Sequence, residues 1–450
     1  PTRRSSDLSF DNNHQEICDI LSVQGWLYKR IALLLCVLSI PVLIALPFIF
    51  PNTECGLLYV YLAYIIFLSG SIFSYLWNYR QILIQADQKN YKLMPWSHAI
   101  RYGKILLQIL ALVILKWGIG SWIILEFVGN IATVFAINYV INKEYPWLNY
   151  SKESASTLLN KYKELITKTK QVFVHKIALF VIEQTSPLII YAFVSLSMVT
   201  YYGNYMMLIG YVITLMNVLF EGMGASIGNL VAENNKQHTL EVFWELFTSR
   251  LWIAALACFG LYLSISPFIS IWIGNKYILS NSTLILLVIS MFIRITRSVI
   301  DSFKNAYQLF ADVWAPIAEA AIHLGCSILF GYWWGLNGII LGAILSQIII
   351  VLLWKPYYTF REGLKTSSFN YYIQYLVHIV ILIIPALLIT RLFAHQLNQP
   401  ANGQNILSII TWIIIVSLIY TIVTFFLFYL FSNGMRRFTQ RIHIIITHRL

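Results

Sequence analysis

Residues 406–431 read ILSIITWIIIVSLIYTIVTFFLFYLF, twenty-six positions with no charged side chain and no proline. Wound as an α-helix at 1.5 Å per residue this run is about 39 Å long, against a bilayer hydrocarbon core about 30 Å thick. It predicts a membrane-spanning helix. Working outward, eleven more apolar runs follow the same rule, at 31–50, 57–77, 102–115, 121–140, 173–196, 205–227, 251–272, 283–303, 315–330, 336–354 and 372–392. The reading is therefore an all-α, polytopic membrane protein with twelve spans.

Composition agrees. The 450 residues are 58% hydrophobic and 11% charged, and a soluble domain carries about 25% charged residues. Mean hydropathy is +0.70. The formal charge of +12 comes from 31 Lys+Arg against 19 Asp+Glu. Twelve alternating spans place 28 of those 31 basic residues on one side, including Lys104 and seven lysines between Lys143 and Lys176, and leave Lys116, Lys276 and Arg391 on the other. Basic segments stay cytoplasmic, which predicts both termini inside and accounts for the charge without nucleic acid. The five cysteines show no metal-ligand or CxxC spacing, so no metal is expected. Residues 1–10, beginning PTRRSSDL, read as a non-native leader.

An internal repeat with a period near 220 residues organises the chain. Asn12, Asn13, His14 and Gln15 correspond to Asn234, Asn235, Lys236 and Gln237; Arg30 to Arg250; Pro47 to Pro267; Ala86 and Asp87 to Ala311 and Asp312; and Trp117, Gly118 to Trp334, Gly335. The second copy holds six spans and the first only four. An even displacement orients both copies alike, as in parallel-repeat transporters. The expected organisation is an N-terminal lobe over 11–141 lacking its first two helices, a basic cytoplasmic linker over 142–172, a six-helix C-terminal lobe over 173–354, and a final helix pair with a basic tail over 355–450. On this arithmetic the full architecture has about fourteen helices.

This layout, with Ser226–Leu230 (SIGNL), Ile271–Gly274 (IWIG), Asp301–Pro316 (DSFKNAYQLFADVWAP) and Trp354, Lys355, Pro356, resembles the polysaccharide-transporter branch of the multidrug/oligosaccharidyl-lipid/polysaccharide exporter superfamily. That branch includes O-antigen and capsule repeat-unit flippases. The resemblance implies a transporter rather than an enzyme, in a bacterial inner membrane. Its substrate would be an undecaprenyl-pyrophosphate-linked oligosaccharide, moved by alternating access through a cationic cavity. Polysaccharide polymerase and glycosyltransferases would be its partners.

Charges inside spans are costly and need a reason. Arg294, Arg297, Asp301, Lys304 and Gln308 are spaced 3, 4, 3, 4, which puts them on one helix face. Arg294, Arg297 and Lys304 are the candidate substrate-binding cations, since guanidinium binds phosphate oxygens bidentately; the competing reading is snorkelling or pairing. Among embedded carboxylates, Glu126, Glu221 and Glu319 are candidates for H⁺ or Na⁺ coupling, or else salt-bridged structural acids. Glu183 reads as structural, and His378 with Gln374 as a packed polar pair. No other cofactor is expected. No GxxxxGK[ST] run occurs, which argues against ATP hydrolysis by this chain. Two alternatives stay open: a cation-coupled multidrug exporter of the same superfamily, and a membrane O-antigen polymerase or glycosyltransferase. The latter would be expected to show a long external loop or a DxD motif, and neither is present.

Overall fold

The computed structural model describes residues 14–49, 56–87, 89–149, 153, 155–220, 223–393 and 406–447. Those residues are predominantly helical, with no strand among them, one of the ways a chain satisfies its backbone groups where the bilayer offers no water. They fall into two compact units, Pro1–Thr167 and Lys168–Leu450.

In the first unit α1 (His14–Ile49), α2 (Leu57–Trp77), α3 (Met94–Ile109) and α4 (Ile119–Glu144) are followed by the short α5 (Ala155–Lys161). α3 starts earlier than hydropathy suggested, because Pro95 is pre-organised for a first turn. Lys104, counted above with the basic residues of one side, lies well inside this helix and not in a connecting loop. α3 ends in a wider π turn, Leu110–Ile114, before Gly118 reverses the chain at φ 78°. Tyr145, Ile137 and Ile141 pack on Ile17, Leu21 and Ile84 to form the core of this unit.

α6 (Lys163–Phe193) carries the division between the units in its first turns. Residues 142–172, read as a linker, thus contain the end of α4, all of α5 and the start of α6. The second unit continues with α7 (Leu196–Phe220), α8 (Met223–Ala232), α9 (Lys236–Trp272), α10 (Asn281–Ala306), α11 (Trp314–Ser346), α12 (Phe369–Leu392), α13 (Ile406–Phe431) and α14 (Asn433–Thr447). Asn235 caps α9 by accepting from His238 N at 3.1 Å, and Ser280 caps α10 by accepting from Thr283 N at 3.3 Å.

Eleven helical stretches among the described residues are long and apolar enough to cross a membrane. One of them, Trp314–Leu364, has 51 residues, which as a straight helix would reach about 77 Å, more than two bilayer cores. It is not straight. Gly335, in the turn Trp334-Gly335, takes φ 55° and ψ −133°, a conformation open in practice only to glycine. Ser327 Oγ donates to Ile339 O at 2.9 Å across that turn. A Cβ added at Gly342 would lie 2.4 Å from Ser327 N. The run is a hairpin of two tightly packed arms, which brings the crossings to the twelve read from the sequence. Small residues permit this approach, as is usual where lipid removes the hydrophobic drive between helices. The second arm winds through π turns at Gln347–Trp354 and Thr359–Leu364. Around it, Phe243, Phe247, Phe303, Phe360 and Tyr371 form a buried aromatic cluster joining α9, α10, α11's extension and α12.

Candidate functional site

The polar face of α10 is organised in levels. Highest is Arg294, twelve residues before the helix end at Ala306, or about 18 Å along the axis. Its Nη2 lies 3.3 Å from Glu183 Oε1 on α6, and both side chains are open, 31% and 56% exposed. A charged pair this far along an apolar span belongs on a water-lined or protein-lined face. One turn on, Arg297 Nε is 3.2 Å from Asp301 Oδ2. Asp301 Oδ1 is in turn 3.7 Å from Lys355 Nζ, which also stands 3.9 Å from Glu319 Oε2 on α11.

At the lowest level the stripe is enclosed. Lys304, its side chain 5% exposed, donates to both oxygens of Asp312, at 2.7 and 2.6 Å. Trp354 Nε1 donates to Asp312 Oδ2 at 3.2 Å, and His175 Nε2 stands 3.5 Å from Asp312 Oδ1. Asp312 sits in the loop between α10 and α11. Burial alone would raise its carboxyl, but His175, Lys304 and Trp354 outweigh that and hold it below the usual carboxylate range.

The first unit has an embedded pair of its own. Lys104 Nζ donates to Glu126 Oε1 at 2.7 Å and Gln108 Nε2 to Glu126 Oε2 at 3.0 Å. Gly129, one turn from Glu126, makes room for the lysine stem: a Cβ there would meet Lys104 Cδ at 2.5 Å.

Of the residues singled out from sequence, Arg294 and Arg297 lie one turn apart on the half-buried face of α10. Lys304, spaced like them, is instead spent on Asp312. Glu126 and Glu319 each have a lysine counter-charge, and Glu221 lies outside the described residues. His323 Nε2 is 3.3 Å from Ser186 Oγ, and His378 Nδ1 contacts the carbonyl of Gln374. Lys355, His175 and Trp354 were not read as site residues. The only trace of them in the sequence was the Trp354-Lys355-Pro356 motif and the repeat marker at Asp312.

The fold is that of a multi-pass, all-α membrane protein, and solved members of the multidrug/oligosaccharidyl-lipid/polysaccharide exporter superfamily share it. Two solved structures give this content. The lipid II flippase MurJ, in an inward closed conformation, superposes with a TM-score of 0.55 and 14% identity, over 94% of this chain and 91% of that one. The Vibrio cholerae MATE transporter VcmN, in its bent form, gives 0.53 and 11%, over 79% and 87%. Both belong to that superfamily, and at these identities the likeness is one of fold. No protein-family model and no curated protein matches the chain.

Proposed function

We propose that this chain is a flippase of the polysaccharide-transporter branch. It would carry an undecaprenyl-pyrophosphate-linked oligosaccharide, an O-antigen, capsule or related repeat unit, across a bacterial inner membrane. The observation that supports this reading best is the open Arg294 level of α10, with Arg297 one turn away. Two guanidinium groups at that spacing can hold a pyrophosphate bidentately while the lipid tail stays in the bilayer. Lys304 is removed from the binding set, because its donors are engaged by a buried carboxylate. Transport would proceed by alternating access, with both termini cytoplasmic, fed by glycosyltransferases and drained by a polymerase. The likeness to a lipid II flippase favours a lipid-linked substrate, although it extends only to the fold.

A second reading rests on Glu183, whose side chain is more exposed than that of Arg294. A carboxylate so placed could receive a cationic drug, as the fold of a MATE transporter also allows. Binding of the purified protein to undecaprenyl-pyrophosphate glycan and to a cationic drug separates the two. Arg294→Ala is expected to weaken lipid binding by at least about tenfold, near 1.4 kcal/mol, and Glu183→Gln to leave it within a few-fold. Drug binding lost in Glu183→Gln, with no lipid binding in any form, would replace the flippase reading by the exporter.

A further inference from the structure

Three contacts in series lead from the half-buried face of α10 to a buried carboxylate: Arg297 to Asp301 at 3.2 Å, Asp301 to Lys355 at 3.7 Å, and Lys355 to Glu319 at 3.9 Å. The last two exceed the ~2.7–2.9 Å of a charge-assisted hydrogen bond. One ammonium is therefore divided between two carboxylates and tightly bound to neither. Arg297 decides the division. While it neutralises Asp301, Lys355 serves Glu319; once it leaves, Asp301 becomes the stronger claimant on Lys355.

We propose that Glu319 is a proton-uptake site operated by this relay. An anionic group that draws Arg297 away from Asp301 shifts Lys355 to Asp301, and Glu319 takes a proton from the aqueous phase, –COO⁻ becoming –COOH with no other bond made or broken. Glu319 is buried, and an uncompensated buried carboxylate neutralises itself rather than remain charged. The inference rests on the reading of Arg294 and Arg297 as the anion-binding pair, and concerns the protonation linked to that binding.

The surrounding groups fit this assignment. From α10, Lys304 is held by Asp312 and cannot replace Lys355. From α6, Glu183 is engaged by Arg294 and Ser186 by His323, while His175 faces Asp312. On α11 itself His323 lies one turn beyond Glu319. It is buried, and its Nδ1 has no partner among the described residues. It is the group that would compete for the proton.

Infrared spectroscopy of the carboxylic C=O stretch tests the relay without any ligand. Arg297→Ala is expected to gain a protonated-acid band at neutral pH that is absent from the wild type, from Arg297→Lys and from the double variant Arg297→Ala/Glu319→Gln. Arg297→Gln gives the same readout if the alanine variant does not fold. A missing band, or one that survives Glu319→Gln, overturns the proposal. In a second arm, inorganic pyrophosphate is titrated into weakly buffered protein with a pH-sensitive dye. Uptake of about one proton per bound pyrophosphate is expected, falling about fivefold in Glu319→Gln with binding retained. Equal uptake in both forms, or a sodium dependence with no uptake, overturns it. Failure of pyrophosphate to bind at all counts against the anion reading instead, and the infrared arm still decides the relay.

Discussion

Replacing Lys304 by methionine probes the buried end of the α10 stripe directly. The substitution keeps the aliphatic stem, so the packing of α10 is nearly conserved and the loss is electrostatic. Asp312 is left 1% exposed and without the donor that bonds both its oxygens, at 2.7 and 2.6 Å. Removing one partner of such a pair costs about 3–5 kcal/mol, because a buried charge stands alone, whereas an exposed pair is worth about 0–1 kcal/mol. Trp354 and His175 remain beside Asp312 and offset part of the loss, so the lower end of that range, about 3 kcal/mol, is expected. Denaturation in mixed micelles gives the measurement. The double variant Lys304→Met/Asp312→Asn should recover more than half of the loss, since the asparagine carbonyl still accepts from Trp354 Nε1 and no net charge is buried. A cost for Lys304→Met below about 1 kcal/mol, the level of a solvated pair, would refute the assignment of Lys304 to a closed structural pair and return it to the substrate-binding face.

The same carboxylate makes a pH prediction. A folded-state value held below the unfolded one adds stability that is complete above the unfolded pKa, about 3.9 for aspartate, and is lost as pH falls through the folded value. The stability difference between wild type and Asp312→Asn should therefore be constant from about pH 5 upward and shrink below about pH 4; a difference that persists unchanged at pH 3 would contradict the depressed value. Gly335→Ala should cost about 1–3 kcal/mol by forcing a glycine-only backbone conformation, whereas Gly103→Ala in α3, with nothing near its Cβ, should be neutral or stabilise by up to about 1 kcal/mol. Equal effects of the two substitutions in the micelle unfolding assay would remove the argument for the hairpin turn.

Hydropathy located the crossings because apolar residues dominate each span despite its few embedded charges, and the Trp-Gly pair at 334–335 placed a turn where helical continuity alone would have missed one. What periodicity could not supply was the environment along the α10 stripe. A spacing of 3, 4, 3, 4 says that five side chains share a face; it does not say that the upper part of that face is open and the lower part enclosed. The enclosure comes from Asp312 in the following loop, from Trp354 at the end of the second α11 arm and from His175 near the start of α6. Those are three segments brought together by packing. The partners of the embedded charges were hidden for the same reason. Glu183 lies 111 residues from Arg294 in sequence, and Lys355 reaches Asp301 and Glu319 only through the fold-back at Gly335.

The stripe, read from the sequence as a polar and basic face, is electrically balanced in the folded second unit. Arg294, Arg297, Lys304 and Lys355 face Glu183, Asp301, Asp312 and Glu319 in contact. An anion therefore does not fill a vacancy of negative charge here. It must take a cation from a carboxylate already in place, and the exchange is favourable only if the incoming group offers more than the one it displaces. The pairs differ greatly in how readily they yield. Lys304–Asp312 is buried and doubly bonded, while Arg294–Glu183 is a single 3.3 Å contact with a more exposed carboxylate. A singly charged anion gains nothing over Glu183, but a pyrophosphate, with several acceptor oxygens and more than one charge, can engage Arg294 and Arg297 together and outcompete both acids. If Arg294 and Arg297 bind the head group as proposed, selectivity for a multiply charged one would follow from the balance itself, which a surplus of positive charge would make less discriminating.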